Sequence, residues 1–345
     1  PMKAAVLTGV GRVEVRDVPK PGIKAPDDVL LKTAVAGLCG SDLHYFIADR
    51  VGGEKVAYPA IVGHECSAVV ETVGPAATRI KPGDRVAVEP AISCGTCDQC
   101  RSGRPHTCRN LGFLGHPGER NGCLAEYFVM PARNCFPLPE GMTMTEAMLA
   151  EPLSIALHAF HFWSGGKGQA MAVLGCGPIG LCVLMTARLN GVRDIYATDK
   201  VDERAAIALK TCAVWAGNPD GGDIVRDILD RQPLGLDAVF ECCGDQAALD
   251  QAVELLKPGG TLVFVGVPLS ERVYFPSGRI RRKEIRIQNV RRQNRCVEQA
   301  LDLVGAGKLD LNFLATHTFE VKDAQKAFET AAYRRDGALK VSIAF

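Results

Sequence analysis

Four cysteines, Cys94, Cys97, Cys100 and Cys108, fall within fifteen residues, in the run C-G-T-C-D-Q-C-R-S-G-R-P-H-T-C. Thiolates this close on a turn-rich loop can close a tetrahedron around one soft divalent ion, and zinc is the usual occupant. Disulfides or unrelated core cysteines are the plainer alternatives. The intervening Gly95, Asp98, Gly103 and Pro105 are loop residues rather than core neighbours, which favours the metal. Four thiolates leave no position for water, so an ion held this way is structural and does no chemistry.

A second, mixed set is spread more widely. Cys39 lies in Gly37-Leu38-Cys39-Gly40-Ser41-Asp42-Leu43-His44-Tyr45, His64 follows 25 residues later in Gly63-His64-Glu65, and Glu151 begins Glu151-Pro152-Leu153. A cysteine, a histidine and a carboxylate suit zinc with an open fourth position, which catalysis needs. Taken singly, each has a bland reading: a core cysteine, a surface His-Glu pair. Spacing alone does not show that they converge.

The third feature is Val173-Leu174-Gly175-Cys176-Gly177-Pro178-Ile179-Gly180, which follows an apolar strand and opens a helix. In that context G-x-G-x-x-G reads as a dinucleotide turn. Gly175 permits the tight bend, Gly177 lets the backbone approach a pyrophosphate, and Gly180 allows close helix–sheet packing. The positive helix N-terminus, with Pro178 and Ile179 in its first turn, then faces the phosphates. Nineteen residues past Gly180, Asp199 ends the next strand, where a carboxylate accepts from ribose hydroxyls and repels a 2′-phosphate. NAD is therefore favoured over NADP, although Lys200 and Arg204 nearby are cations that suit the extra phosphate. The bland reading of Asp199 is a helix cap.

The elements that position these groups divide the chain. Residues 1–151 read as short apolar strands punctuated by Gly and Pro turns, among them 29–35, 68–73 and 86–88. From 152 the texture changes to strands alternating with helical patterns, at 170–174, 195–198, 238–241, 261–265 and 285–290, which argues a parallel sheet covered on both faces through 295. The tail, 296–345, carries helical stretches at 297–304 and 322–332 and a last strand at 340–344, and is expected to return to the first domain. The chain has 345 residues, 47% apolar and 23% charged, with a net charge of +1, so composition favours neither nucleic acid nor membrane as a partner. The uncharged window 170–187 approaches span length but holds Gly175, Gly177, Pro178 and Gly180, which suit a strand–turn–helix better. Fourteen cysteines without a secretory-type start fit a reducing compartment, and a cytoplasmic location is expected.

Taken together, Gly63-His64-Glu65, the Cys94/97/100/108 lobe, Glu151-Pro152-Leu153 and the Gly175–Gly180 turn make the chain resemble the zinc-containing medium-chain dehydrogenases over nearly its whole length, and most of all the polyol branch of sorbitol and xylitol dehydrogenases. The resemblance implies an α/β protein: a GroES-like β-rich catalytic domain, a Rossmann domain with a doubly wound parallel sheet, and an active-site cleft between them. It implies two zinc ions per chain. Cys39 and His64 would hold the catalytic one, with Glu65 and Glu151 as ligands directly or through water, and the four clustered cysteines the structural one. It also implies a homodimer or homotetramer, paired along an edge near 272–275 or 285–290.

The implied reaction is hydride transfer between a secondary alcohol and the nicotinamide, with the metal as Lewis acid. Ser41 and His44 match the family's proton relay, which ends on an imidazole at the surface; an ordinary exposed histidine is the alternative for His44. Tyr45, Phe113 and Arg291 match positions that line the polyol site. Sorbitol dehydrogenases carry an aromatic after that arginine, whereas Arg292 stands here, which admits an anionic substrate such as a sugar-alcohol phosphate or sugar acid. Related threonine dehydrogenases carry Asp-Pro where this chain has Glu151-Pro152, so the chain leans to polyols. The basic segment 279–295 reads as a solvated rim or the phosphate side of the cofactor. A non-catalytic dinucleotide-binding protein would be expected to lack a metal ligand or the relay, and every one of those residues is present here.

Overall fold

The computed structural model describes residues 1–51 and 54–345, and the chain forms two compact units, 1–151 with 294–345, and 152–293. The first unit is built on a seven-stranded sheet. Its strands run in the order Cys135–Pro137, Arg85–Val88, Glu65–Val73, Asp28–Gly37, Lys340–Ala344 and Ala315–Glu320, with Tyr127–Pro131 also paired to Asp28–Gly37. The long central strand Asp28–Gly37 thus has the strand that begins at Glu65 on one side and the C-terminal strand on the other. In register, Gly37 pairs with both Glu65 and Ser342. Val29, Leu31, Val70, Val86, Phe128 and Ile343 fill the core that this sheet covers.

Helix Gly40–Ile47 leaves the end of the central strand directly after Cys39. It is anchored from the tail of the chain, where the ring of Phe328, on helix Ala324–Ala332, packs 5.3 Å from that of Phe46. Gln325 on the same helix bridges the N-terminal hairpin, accepting from the Val13 amide at 2.7 Å and donating to the Gly11 carbonyl at 3.0 Å. The tail therefore completes the sheet that carries the candidate metal-ligating residues.

The second unit is a six-stranded parallel sheet in the order Trp215–Gly217, Asp194–Thr198, Ala170–Leu174, Leu236–Glu241, Leu256–Phe264, Arg286–Asn289. In chain order this is 3-2-1-4-5-6, the dinucleotide-binding arrangement, with the chain reversing direction across the sheet beside Ala170–Leu174. The four inner strands are mostly buried and rich in Ala, Val, Leu and Phe, as parallel strands covered on both faces must be, while the edge strands Trp215–Gly217 and Arg286–Asn289 are only partly buried. The charge-free window 170–187 is strand Ala170–Leu174 followed by the turn and helix Pro178–Leu189. Among the described residues no helix is long and apolar enough to cross a membrane.

Two strands were not named from the sequence, and one expected edge is not a strand. Trp215–Gly217 is a strand of only three residues, too short to leave an apolar run. Ala315–Glu320 alternates half-buried and exposed side chains, and its A-T-H-T-F-E sequence hid it. The segment 272–275 forms no strand, because Gln246 takes up the backbone of Tyr274, donating to its carbonyl at 2.8 Å and accepting from its amide at 2.9 Å.

Candidate metal centres and dinucleotide site

Helix Gly40–Ile47 begins with Cys39 at its N-cap, and the residue that organises this corner is Asp42. Its carboxylate is fully buried and accepts from the Cys39 amide at 3.0 Å through one oxygen and from the Gly63 amide at 3.1 Å through the other. The second oxygen also faces Nδ1 of His64 at 3.7 Å. One side chain therefore fixes the backbone on both sides of the gap between Cys39 and His64, and turns the imidazole so that Nε2 is left for a ligand. Burial works against a charged His64, but Asp42 and Cys39 outweigh it and lift its pKa well above 6.5. Metal binding must displace that proton.

Glu65 follows His64 and opens its strand. The ligand atoms of Cys39, His64 and Glu65 all lie within 4.8 Å of one another. A thiol, an imidazole and a carboxylate on one spot are the donor types that zinc accepts in catalytic sites. Glu65 is 1% exposed and bonded by the equally buried Lys340, whose ammonium donates to Oε2 at 2.5 Å and to the Leu38 carbonyl at 3.1 Å. Gly37 makes room for this: a Cβ there would sit 2.7 Å from Glu65 Oε2 and 2.7 Å from Met148 Sδ.

Glu151 ends the first unit within helix Met144–His161, immediately before Pro152. It is not part of the tight three-ligand group. Burial first, and the Glu65 carboxylate second, push its pKa up to about 8.

The four-cysteine lobe is equally compact. The Sγ separations are 3.4 Å for Cys108–Cys94, 3.6 Å for Cys97–Cys100 and 3.8 Å for Cys97–Cys108. A tetrahedron with Zn–S bonds of about 2.3 Å has edges of about 3.8 Å, so the sulfurs stand close to ligand positions and far from the roughly 2.05 Å of a disulfide. All fourteen cysteines are free. The backbone amide and the hydroxyl of Thr96, with the Cys97 amide, lower Cys94 to about 5, while burial and neighbouring sulfurs raise Cys100 to about 11. The lobe's amides thus stabilise thiolate, as a soft metal requires.

Ser41 and His44 share the helix that Cys39 caps. His44 was expected at the surface; it is half-buried instead, with a buried Nδ1 that has no hydrogen-bond partner among the described residues. Burial lowers its pKa. Phe113 packs its ring 5.0 Å from that of His64, and Tyr45 meets His116 edge-on at 6.4 Å. Arg291 is exposed on the second unit, just beyond the edge strand.

In the second unit the glycine turn has the form the motif requires. Gly175 adopts φ +99°, and a Cβ on Gly180 would lie 1.9 Å from the Gly175 carbonyl. Gly177 is the N-cap of helix Pro178–Leu189 and faces open space; a Cβ there would meet only Arg204 Nη1 at 3.6 Å. No side chain caps this helix, which leaves its first amides available to a phosphate. Asp199 accepts from the Cys176 amide at 2.7 Å and from the Val201 amide at 2.8 Å, so it also staples the turn. Lys200 is engaged by Asp245 at 3.0 Å.

Sequence reading missed Asp42 and Lys340. Asp42 had a signal, an acidic residue three positions after a helix N-cap. Lys340 had none, being one lysine at the head of an apolar strand. A further carboxylate, Glu241, escaped notice as well: fully buried at the end of its strand, its Oε1 accepts from the amides of Cys243 at 2.9 Å and Gly244 at 2.6 Å, shaping the loop against which Gly175 packs.

Comparison with known proteins gives a consistent picture. Residues 25–140 match the alcohol dehydrogenase GroES-like domain, and residues 178–306 match the zinc-binding dehydrogenase family. The chain is 34% identical to L-idonate 5-dehydrogenase of Vitis vinifera, over 98% of this chain and 93% of that protein. It is 33% identical to sorbitol dehydrogenase of Bacillus subtilis (strain 168), over 99% and 97% respectively. A protein from Sinorhizobium meliloti 1021, solved with NADP bound and described as a zinc-binding dehydrogenase, superposes with a TM-score of 0.91 at 31% identity, covering 100% of this chain and 99% of that one.

Proposed function

Because this chain belongs to the zinc-containing alcohol dehydrogenases and is a dehydrogenase of their polyol branch, we propose that it interconverts a secondary hydroxyl of a polyol and the corresponding ketone, with NAD as hydride partner. The observation that carries this reading is the convergence of Cys39, His64 and Glu65. A zinc ion held by that set supplies Lewis acidity toward a hydroxyl oxygen. Cys39 and His64 are its ligands, and Glu65 and Glu151 bind it directly or through water. Cys94, Cys97, Cys100 and Cys108 hold a second, structural ion.

The remaining residues move protons and orient the partners. Ser41 passes the hydroxyl proton toward His44, which its burial keeps neutral and ready to accept near pH 7. Glu151, with a pKa near 8 in the metal-free chain, is a second group able to hold a proton there. Tyr45 and Phe113 line the polyol side, with Phe113 against the His64 ring. The amides after Gly177 receive the pyrophosphate, and Asp199 receives the ribose hydroxyls and disfavours a 2′-phosphate. The engagement of Lys200 by Asp245 supports NAD further, while Arg204 beside Gly177 serves the phosphates. A homodimer or homotetramer formed along the edge strand Arg286–Asn289 goes with this reading.

A polyol that carries an acid group is the second reading. The adjacent Arg291 and Arg292 and the idonate-named relative favour it. The deciding experiment is a panel of sorbitol, xylitol, idonate and a polyol phosphate with NAD and NADP, followed at the nicotinamide absorbance, beside a zinc count. Two zinc per chain with activity on a free polyol is the expected result. One zinc per chain and no turnover of any member would refute the proposal.

A further inference from the structure

Lysine is almost never fully buried unless it is paired, yet Lys340 is 3% exposed in a strand whose other residues are apolar or small. Its position is specific. The C-terminal strand and the strand that starts at Glu65 lie on opposite sides of the central strand Asp28–Gly37. The Lys340 ammonium reaches across the end of that strand, bonding Glu65 on the far side and the Leu38 carbonyl where the chain departs for Cys39. A side chain on Gly37 would collide with the Glu65 oxygen that accepts this bond. Desolvating an ion pair brings little or no net stability, so a hydrophobic pair in place of Lys340 and Glu65 would serve the fold as well, whereas removing Lys340 alone leaves the Glu65 carboxylate buried without its cation.

We propose that Lys340 is a positioning residue for the metal centre: by holding Oε2 of Glu65 and the carbonyl before Cys39, it sets where the Glu65 carboxylate stands relative to the other two ligands. The proposal rests on the reading of Cys39, His64 and Glu65 as a metal site. It ties the C-terminal strand to that site although the strand contributes no ligand. Outer-shell partners of ligating groups typically govern about 10–100-fold in metal affinity.

The test is zinc retention against a competing chelator, with the four-cysteine ion as internal control, together with the visible spectrum of cobalt(II) loaded at the Cys39 site. In Lys340→Met the Cys39 site should bind about 10–100-fold more weakly, with a changed cobalt spectrum, while the four-cysteine ion stays at wild-type affinity; Lys340→Arg should recover most of the loss. Should K340M not fold, K340Q carries the same test. Unchanged affinity and spectrum, or equal weakening of both ions, would overturn the assignment while leaving the metal reading intact. A wild-type chain holding only the four-cysteine ion would remove both.

Discussion

Replacing Asp42 tests whether one buried carboxylate builds the Cys39–His64 corner. Asparagine has the same shape but one acceptor oxygen. Whichever way the amide turns, an NH2 faces either the Cys39 or the Gly63 amide, and that buried donor loses its partner. A buried donor left unpaired costs about 1–3 kcal/mol, and exchanging a charged for a neutral acceptor at the other amide costs about 1 kcal/mol more. Asp42→Asn should therefore destabilise the metal-free protein by about 2–4 kcal/mol, a large share of the roughly 5–15 kcal/mol typical of a folded protein. Asp42→Ala, which orphans both amides, should cost more. Urea unfolding of chelator-treated protein at pH 7 reads the loss. Because His64 also loses the group that turns its ring, zinc affinity at this site should fall by about 10–100-fold while the four-cysteine ion is retained. A D42N protein within about 0.5 kcal/mol of wild type, the scatter of surface substitutions, with unchanged zinc affinity would refute the bracing role.

Three further outcomes are expected. Cys97→Ser should lower the zinc count by one per chain and lower the thermal midpoint, since a structural ion contributes its binding energy to folding; an unchanged count by elemental analysis would remove the four-thiolate site. In the metal-free protein Glu151 keeps its proton to about pH 8 folded but only to about 4.5 unfolded, so its contribution is complete below 4.5 and is lost as pH rises toward 8, at about 1.4 kcal/mol per unit. His64 acts with the same sign but only above 6.5, whereas Cys94, lowered to about 5, and His44, lowered by burial, act with the opposite sign inside the window from 4.5 to 6.5, so the difference between wild type and Glu151→Gln reports Glu151 there: it should fall by about 1.4 kcal/mol per pH unit, and a flat difference would refute the raised pKa. Asp199→Asn should reduce kcat/KM with NAD relative to NADP by about tenfold or more, the equivalent of one charge-assisted bond; a lower stability with an unmoved ratio would leave Asp199 only the stapling of the Gly175 turn.

What the sequence disclosed, and what it withheld, follow from the range of the interactions involved. The four-cysteine lobe and the Gly175–Gly180 turn are local: all their donors lie within fifteen and six residues, and the spacing itself encodes the geometry. The inner strands of the second unit were legible because both faces are buried, which leaves continuous apolar runs. Trp215–Gly217 and Ala315–Glu320 were not, the first for its length and the second for its half-exposed face. The Cys39 site joins residues far apart in the chain, and their meeting depends on strand register, Gly37 opposite Glu65 and Ser342, which no spacing states. Resemblance named the candidate ligands. It did not supply the groups that hold them, because Asp42 reads as a helix residue and Lys340 as a surface lysine until the sheet is assembled.

The two candidate metal centres handle their charge in opposite ways, and the difference bears on their roles. The four thiolates would carry four negative charges, but they sit at a half-exposed lobe where water, the Thr96, Cys97 and Arg109 amides and the Arg109 guanidinium spread the excess. Nothing there needs to change during a reaction. At the Cys39 corner the carboxylates of Asp42, Glu65 and Glu151 are buried and Cys39 is half-buried, and the cations that face them are Lys340 and, when protonated, His64. Burial first, and the Glu65 carboxylate second, raise Glu151 to about 8, so in the metal-free corner a proton stays on Glu151 near neutral pH. A divalent ion held there would offset two of these negative charges and favour the ionised form of its ligands. Such an ion would also favour the ionised form of a substrate hydroxyl, the form from which hydride can leave. Four thiolates leave no open position for that hydroxyl, whereas a set of one thiol, one imidazole and one carboxylate does.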